Sequence, residues 1–393
     1  MRLALTHLRH AKTGGTERYL DRLAGWLAAR GHEVTIVCRS HGAPPHPRVR
    51  FECLRGLALR GAWRTWSFAR AVERHLAGHE HDLVVGLGRT WTQDVLRLGG
   101  GCQRTYLELA HRATLGARDR LLGGGAWKHA LAVRIEERAL ADPAVHVIVN
   151  SAMVRRDVEA RHGVPSERIR VIHNGVDLER FHPRLKSSAG AAKRRELGIA
   201  SDACVILFLG TGYARKGLDL VLEAFPRVRA AQRSAVLVVA GFDSARARFE
   251  ARARELGIAE QARFVGGTLA PEELYAAADL YVLPTRYDPF ANSTVEALAA
   301  GLPVITSTTN GGGELIDTGV QGALVQVTAG VEPLAEELVR WCAPERRAHG
   351  ARAARARAEE HGEESKFLAA EALFERLAAR TSGERRGAAG ARG

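Results

Sequence analysis

Short apolar runs alternate along this chain with longer stretches in which apolar positions recur at helical spacing. The runs predict strands at residues 2–8, 33–39, 50–54, 82–87, 145–150 and 170–173. A second series lies at 204–209, 235–240, 262–265, 280–283, 303–306 and 323–327. Several, such as Val-Ile-Leu-Phe-Leu and Val-Leu-Val-Val-Ala, are continuously apolar, as strands buried on both faces are. Residues 17–30 show the intervening pattern: Leu20, Leu23, Ala24, Leu27 and Ala28 mark one helical face, and Gly31 ends it. Alternating strands and helices predict parallel sheets with helices on both faces. Twelve strands are too many for one ordinary sheet, so they divide six and six over two doubly wound α/β domains.

The division falls where the strand pattern lapses. Residues 176–200 are rich in charge and turn formers and read as a linker between domains at 1–175 and 201–365. A helix is expected at 366–380. From Thr381 the chain is Gly, Arg and Ala with little apolar content, and 381–393 is expected to be a disordered tail.

Composition narrows the setting. With 46% hydrophobic and 26% charged residues in 393, each domain can bury a core without staples. Cys38, Cys53, Cys102, Cys204 and Cys342 are scattered and odd in number, which fits a reducing compartment and neither a disulfide framework nor a zinc site. The first apolar run is too short for a secretory leader, and no stretch approaches the roughly 18 apolar residues of a membrane span, so a cytoplasmic location is expected. The formal charge of +13 suits an anionic partner such as nucleic acid, a membrane or a phosphorylated substrate, or else reflects the Arg- and Ala-rich usage of a GC-rich genome. No nucleic-acid-binding module is present to support the first of these.

Three constellations carry candidate chemistry. Gly210-Thr-Gly212-Tyr-Ala-Arg215-Lys216-Gly217 follows a buried strand and enters a helix. Its glycines allow close backbone approach, and the helix start and two cations suit a diphosphate. It is neither a Walker loop nor a clean dinucleotide fingerprint, and the same residues could make a strand–helix turn with a solvated basic pair. Asp288-Pro-Phe-Ala-Asn-Ser-Thr-Val-Glu296 follows the strand at 280–283, above the carboxyl end where such sheets bind ligands. A helix starting near Asn292 would aim its amides at an anion, and Glu296, one turn in, could accept both ribose hydroxyls. Alternatively Asp288 caps a turn and Glu296 is a surface charge. Gly14-Gly15-Thr16-Glu17 after the first strand repeats the glycine loop, with Glu17 equally readable as a first-turn acid.

Together with His-Asn-Gly-Val-Asp at 173–177 and Ala-Ala-Asp-Leu-Tyr-Val-Leu-Pro at 277–284, these motifs resemble glycosyltransferase family 4 over nearly the whole chain to about residue 380. Arg-Lys in tandem and Val-Val-Gly-Leu-Gly-Arg-Thr resemble its lipopolysaccharide core glucosyltransferase I branch. The resemblance implies the glycosyltransferase-B fold, two Rossmann-like domains facing across a cleft. It implies a retaining hexosyltransferase that uses a nucleotide diphosphate sugar of the UDP-glucose type and a glycolipid or oligosaccharide acceptor. By position, Glu296 would hold the ribose and Asp288, an Asp where the family has Glu, would face the donor sugar. Arg215 and Lys216 would neutralise the diphosphate, Gly14 and Gly15 would lie against it, and Gly212, Phe290, Ala291, Asn292 and Ser293 would line the donor. The chain contains no Asp-x-Asp triplet, so no metal or other cofactor is expected, the paired cations serving instead. The alternatives are an epimerase or hydrolase acting on nucleotide sugars, a phosphorylase, and a basic nucleic-acid binder.

On the acceptor side, Asp94 and His111 are candidates, each also readable as structural. His75, His79, His81 and Asp82 crowd together but precede a strand at its entry end, and read as a solvated loop rather than a metal site. Residues 103–138 mix seven Arg or Lys with Tyr106, Trp127 and many aliphatic residues, the composition of a segment that lies on an anionic membrane face, or of an ordinary packed helix pair.

Overall fold

The computed structural model describes residues 1–11, 14–55, 62–111 and 126–390. They divide into two compact units: Met1–Tyr106, Leu115–His173 and Glu364–Gly393 in the first, Leu107–Thr114 and Asn174–Glu363 in the second. Each is a parallel sheet flanked by helices.

The first unit carries β1 (Arg2–Thr6), β2 (Glu33–Cys38), β3 (Val49–Cys53), β4 (Leu83–Gly86), β5 (Val95–Arg97), β6 (His146–Val149) and β7 (Ile169–Val171) in the order β3-β2-β1-β4-β5-β6-β7. The second carries β8 (Val205–Leu209), β9 (Val236–Ala240), β10 (Ala262–Gly266), β11 (Leu280–Leu283), β12 (Val304–Ser307) and β13 (Gly322–Val325) in the order β10-β9-β8-β11-β12-β13. In both, the chain winds outward one way from the first strand and then restarts on its other side. That leaves a crevice at the carboxyl ends of β1 and β4, and of β8 and β11, where doubly wound sheets bind ligands.

The first sheet has seven strands, not six. Val95-Leu96-Arg97 gives no sequence signal, because three residues following a polar loop show no periodicity. It pairs with β4 and β6 and is wholly buried. Residues 176–200 are likewise no linker. Pro183–Ser187 forms a 3₁₀ turn and Ala189–Glu196 a helix, both part of the second unit. Arg194 anchors that helix through Ala277 O at 2.8 Å and Asp279 Oδ2 at 2.6 Å. Its polarity hid a helix held by hydrogen bonds rather than by an apolar stripe. The change of unit comes instead at His173/Asn174.

The last helix, Glu363–Gly390, runs past Thr381, where composition placed the start of a disordered tail. It belongs to the first unit, so the chain ends where it began. Phe367, Ala370, Leu373, Phe374, Leu377 and Ala378 join Leu20, Leu23 and the β1 and β2 side chains in one core. Glu371, 4% exposed, takes hydrogen bonds from Arg30 Nε and His32 Nε2, each at 2.8 Å. Burial pushes its carboxyl up, but Arg30 and His32 outweigh that and hold it below the usual range. Glu371→Ala is expected to cost about 1–3 kcal/mol, leaving His32 buried without its acceptor. Because the folded-state value is depressed, the wild-type advantage should be complete at neutral pH and vanish as the pH falls through that value. Denaturant unfolding of both proteins from pH 7 down to below the usual carboxylate range measures this.

Candidate active site

In the second unit the crevice between β8 and β11 gathers the predicted donor residues. β8 ends at Leu209, and Gly210-Thr211-Gly212 leads into the short helix Tyr213–Lys216. Gly217 then turns the chain with φ 79°, and a Cβ there would run into the carbonyl oxygen of Pro284. Only glycine lets the two loops approach this closely. The contact fixes Arg215 and Lys216 against the loop after β11. Arg286 N donates to Arg215 O at 2.9 Å and Thr285 Oγ1 to the same oxygen at 3.1 Å.

The two cations converge on one carboxylate. Lys216 Nζ lies 2.6 Å and Arg215 Nη1 2.9 Å from Asp288 Oδ2, while Asp288 Oδ1 accepts the Phe290 amide at 3.1 Å. Lys216 and Asp288 are 7% and 8% exposed. Burial pushes the Asp288 carboxyl up, but Lys216 and Arg215 overcome this and keep it ionised below its usual range. Burial lowers the Lys216 ammonium, with Asp288 opposing and Arg215 adding to the effect. Asp288 was expected to face the donor sugar. It acts as a counter-ion that fixes the cation pair, and at the same time caps the turn through Phe290. The cations keep donors for a further anion, since an ammonium has three N–H groups and a guanidinium five.

The helix Asn292–Ala299 starts one turn later, its first residues held by buried partners. Asn310, 2% exposed, accepts Ala291 N at 3.2 Å and donates to Thr294 Oγ1 and Thr306 Oγ1 at 2.9 Å each. Asn174, from the His-Asn-Gly-Val-Asp motif, donates to Asn292 Oδ1 at 2.6 Å. Glu296 Oε2 accepts from Tyr275 Oη at 2.9 Å, and Tyr275 is fully buried. Tyr275 and Asn310 are positioning residues that sequence reasoning missed. Tyr275 lies in an apolar helix and Asn310 in a turn, and neither announces its partner. The structure thus brings together Gly212, Arg215, Lys216, Asp288, Phe290, Ala291, Asn292, Ser293 and Glu296 around one crevice.

The first unit places the remaining candidates differently. Gly14, φ 98°, caps the helix Gly15–Ala29, and a Cβ on it would strike the Glu17 carboxylate. Asp94 is removed from the strand ends. It sits just before β5, level with Val84, and its Oδ2 accepts the Val84 amide at 2.7 Å. That contact ties β5 to β4 within the ladder, so the structure does not bring Asp94 to the crevice. His111 ends the π-helical turn Leu107–His111, which groups with the second unit. His75 and His79 stack at 3.9 Å and His75 Nε2 meets the Glu52 carboxylate, while Asp82 pairs with Arg2 at 3.0 Å. Residues 77–80, His79 among them, are exposed and His75, His81 and Asp82 half-buried, as a solvated loop at the strand's entry end would be. Glu52, His75 and His79 present ligand atoms within 4.8 Å of one another, Glu52 being the member that the sequence spacing does not bring to the two histidines.

His7, at the carboxyl end of β1, was also missed. Its Nδ1 is buried without a hydrogen-bond partner among the described residues, and it faces a cavity of about 900 Å³ in the first unit. Burial lowers its pKa, with Glu17 opposing, so the ring is neutral at pH 7.

Residues 13–180 match the family Glycosyltransferase Family 4, and residues 191–358 match Glycosyl transferases group 1. A D-inositol 3-phosphate glycosyltransferase of Thermomonospora curvata is 32% identical over 347 residues, 79% of each chain. The chain belongs to glycosyltransferase family 4. The lipopolysaccharide glucosyltransferase WaaG of Escherichia coli is another relative of this family member, 26% identical over 82% of this chain and 83% of its own. A crystal structure of WaaG matches with a TM-score of 0.78 at 24% identity, over 95% of this chain and 99% of that one. Anabaena HepE in complex with UDP-glucose matches with a TM-score of 0.69 at 19% identity, over 98% and 100%. The fold is that of the glycosyltransferase-B enzymes, and this family 4 member is an enzyme that transfers sugar.

Proposed function

We propose that this glycosyltransferase takes a hexose from a UDP sugar of the UDP-glucose type, retains the anomeric configuration and needs no metal. The observation that carries the reading is the Arg215–Lys216–Asp288 cluster at the β8/β11 crevice, followed by the helix Asn292–Ala299 that carries Glu296. Breaking the sugar–phosphate bond builds negative charge on the diphosphate and positive charge on the sugar. Cations already fixed by Asp288 and the amides at the start of the helix Asn292–Ala299 meet that charge without reorganising. Glu296, oriented by Tyr275, holds the ribose. Gly14 and Gly15 lie against the diphosphate, and His111 acts on the acceptor. HepE, bound to UDP-glucose in its crystal structure, supports the donor class.

The relatives suggest the acceptor class. One is named for lipopolysaccharide and another for inositol 3-phosphate, and a glycolipid or lipopolysaccharide core sugar is the acceptor proposed here. A peripheral position at the cytoplasmic membrane face fits two exposed tryptophans, Trp63 and Trp127, with ring centroids 6.3 Å apart and Arg64 and Lys128 beside them in sequence. Arg118 and Arg120, also expected on that face, lie outside the described residues. No helix among the described residues is long and apolar enough to cross a membrane.

Calorimetric titration with UDP-glucose in excess EDTA tests the donor reading. One-site binding and sugar transfer that persist in the chelator are expected. Loss of both, restored by magnesium or manganese, would overturn metal independence, and no binding with or without metal would overturn the donor assignment. Proton NMR of the transferred sugar's anomeric centre tests retention.

A further inference from the structure

Beside the cavity of the first unit lie three side chains that the donor chemistry does not use. Cys102 precedes the helical turn Gln103–Tyr106, Glu136 stands in the helix Ala126–Ala141, and His162 ends the helix Ala152–His162. The fold brings a thiol sulfur, a carboxylate oxygen and an imidazole nitrogen from these distant positions within 4.8 Å of one another. Cys102 is fully buried, and the His162 and Glu136 side chains are 6% and 9% exposed. His162 Nε2 forms no hydrogen bond among the described residues, although Glu136 Oε1 stands 3.4 Å away. A polar nitrogen withdrawn from water without a hydrogen bond is costly, and such an atom points to a further binding partner.

Neighbouring groups hold the cluster in place. Both oxygens of Glu136 accept the Gln103 amide at 3.1 Å. Asp157, earlier on the helix that ends at His162, meets the Cys102 thiol. Its Oδ1 accepts Arg161 Nε at 2.6 Å and its Oδ2 the Thr105 hydroxyl. Ligating carboxylates commonly carry orienting hydrogen bonds of this kind. Thiol, imidazole and carboxylate together are the donors of zinc, whereas magnesium and calcium take oxygen alone. Zinc holds its ligands at about 2.0–2.3 Å, which sets neighbouring ligand atoms under about 4 Å apart. The His162–Glu136 separation already meets this, and the others need less than about 1 Å of closure.

We propose that Cys102, Glu136 and His162, with Asp157 in the fourth position, bind one zinc ion that ties three segments of the first unit together. On binding, the Cys102 thiol loses its proton to solvent, which frees Asp157 from that hydrogen bond to act as the fourth ligand. A thiolate and two carboxylates around a dication leave a single negative charge, which Arg161 and Arg89, the latter in the field of Glu136, offset. Glu136 and Gln103 also line the 900 Å³ cavity, so the ion stiffens one wall of it. Cysteine spacing could not reveal this set, because it holds a single cysteine and no short ligand pair. First-unit residues alone hold the ion, whereas the donor reading rests on second-unit residues, so the two stand or fall separately.

Cobalt(II), a coloured substitute for zinc, tests the site on the full chain after dialysis against chelator. One metal ion per chain is expected, with thiolate-to-cobalt charge-transfer absorption, and zinc should raise the melting temperature of the metal-free protein. Cys102→Ser should abolish that absorption and weaken zinc by at least about 100-fold, more than the loss of an outer partner costs. His162→Gln should weaken both metals, and UDP affinity should be unchanged in either variant. X-ray absorption at the zinc edge of the wild type needs no variant and should show one sulfur among nitrogen and oxygen neighbours. No zinc uptake, a cobalt spectrum without thiolate absorption, or a charge-transfer band that survives in Cys102→Ser would overturn the inference. Metal lost in His79→Ala and kept in Cys102→Ser would overturn it as well, placing the ion at Glu52, His75 and His79.

Discussion

Replacing Lys216 with alanine is expected to lower kcat by about 10²–10³-fold while donor affinity falls by tenfold or less, because a preorganised donor on a leaving group is worth most in the transition state. In the free enzyme one N–H of the Lys216 ammonium is already held by Asp288 at 2.6 Å. Ground-state donor binding therefore gains little from it, and its worth rises only as charge develops on the departing diphosphate. The variant also leaves Asp288, 8% exposed, with Arg215 as its remaining cationic partner. Asp288→Asn should lose turnover too, for a different reason: the cation pair is no longer held. Steady-state kinetics beside a calorimetric Kd for UDP-glucose separates the terms. If Lys216→Ala lost affinity alone and kept its turnover, the leaving-group role would have to be abandoned.

Glu296→Ala should weaken donor affinity by about 100-fold or more, two hydrogen bonds to a charged group being worth roughly 3 kcal/mol or above. The fold should tolerate the change. Tyr275 Oη, which loses its acceptor at 2.9 Å, retains Ser293 O at 3.2 Å. Tyr275→Phe should give a smaller loss of the same kind, through a carboxylate that remains charged but is no longer oriented. Calorimetry with UDP, and with UMP as a ribose-bearing probe lacking the β-phosphate, reads the effect. Unchanged UDP and UMP affinity in Glu296→Ala would remove the ribose assignment.

The residues proposed to hold the donor could be grouped from the sequence because they are local. Gly212, Arg215 and Lys216 share one strand–helix turn, and Asp288 to Glu296 share the next such turn in the sheet. Each could be placed at a carboxyl end once its preceding strand was recognised. Asp94 shows the limit of such local reading. It follows β4 at the distance expected of a ligand-binding loop, yet β5 begins immediately after it and draws its carboxylate to the Val84 amide. A strand of three residues has too few positions to show alternation, so nothing in the sequence could warn of this.

By itself the sequence determined what depends on short stretches of chain: the strands, the order in which they alternate with helices, hence two doubly wound sheets, and the glycines and charges at their carboxyl ends. Only the tertiary structure decided which distant groups share space. It set Asp288 between Arg215 and Lys216, put Tyr275 beneath Glu296 and Asn310 behind the loop, returned the final helix to the first unit, and collected Cys102, Glu136 and His162 in one cluster. The reason is physical. Backbone propensity and hydrophobic period act over a few residues, whereas an ion pair or a buried hydrogen bond is fixed by which strand ends the sheet order makes neighbours, and that order is a property of the folded sheet.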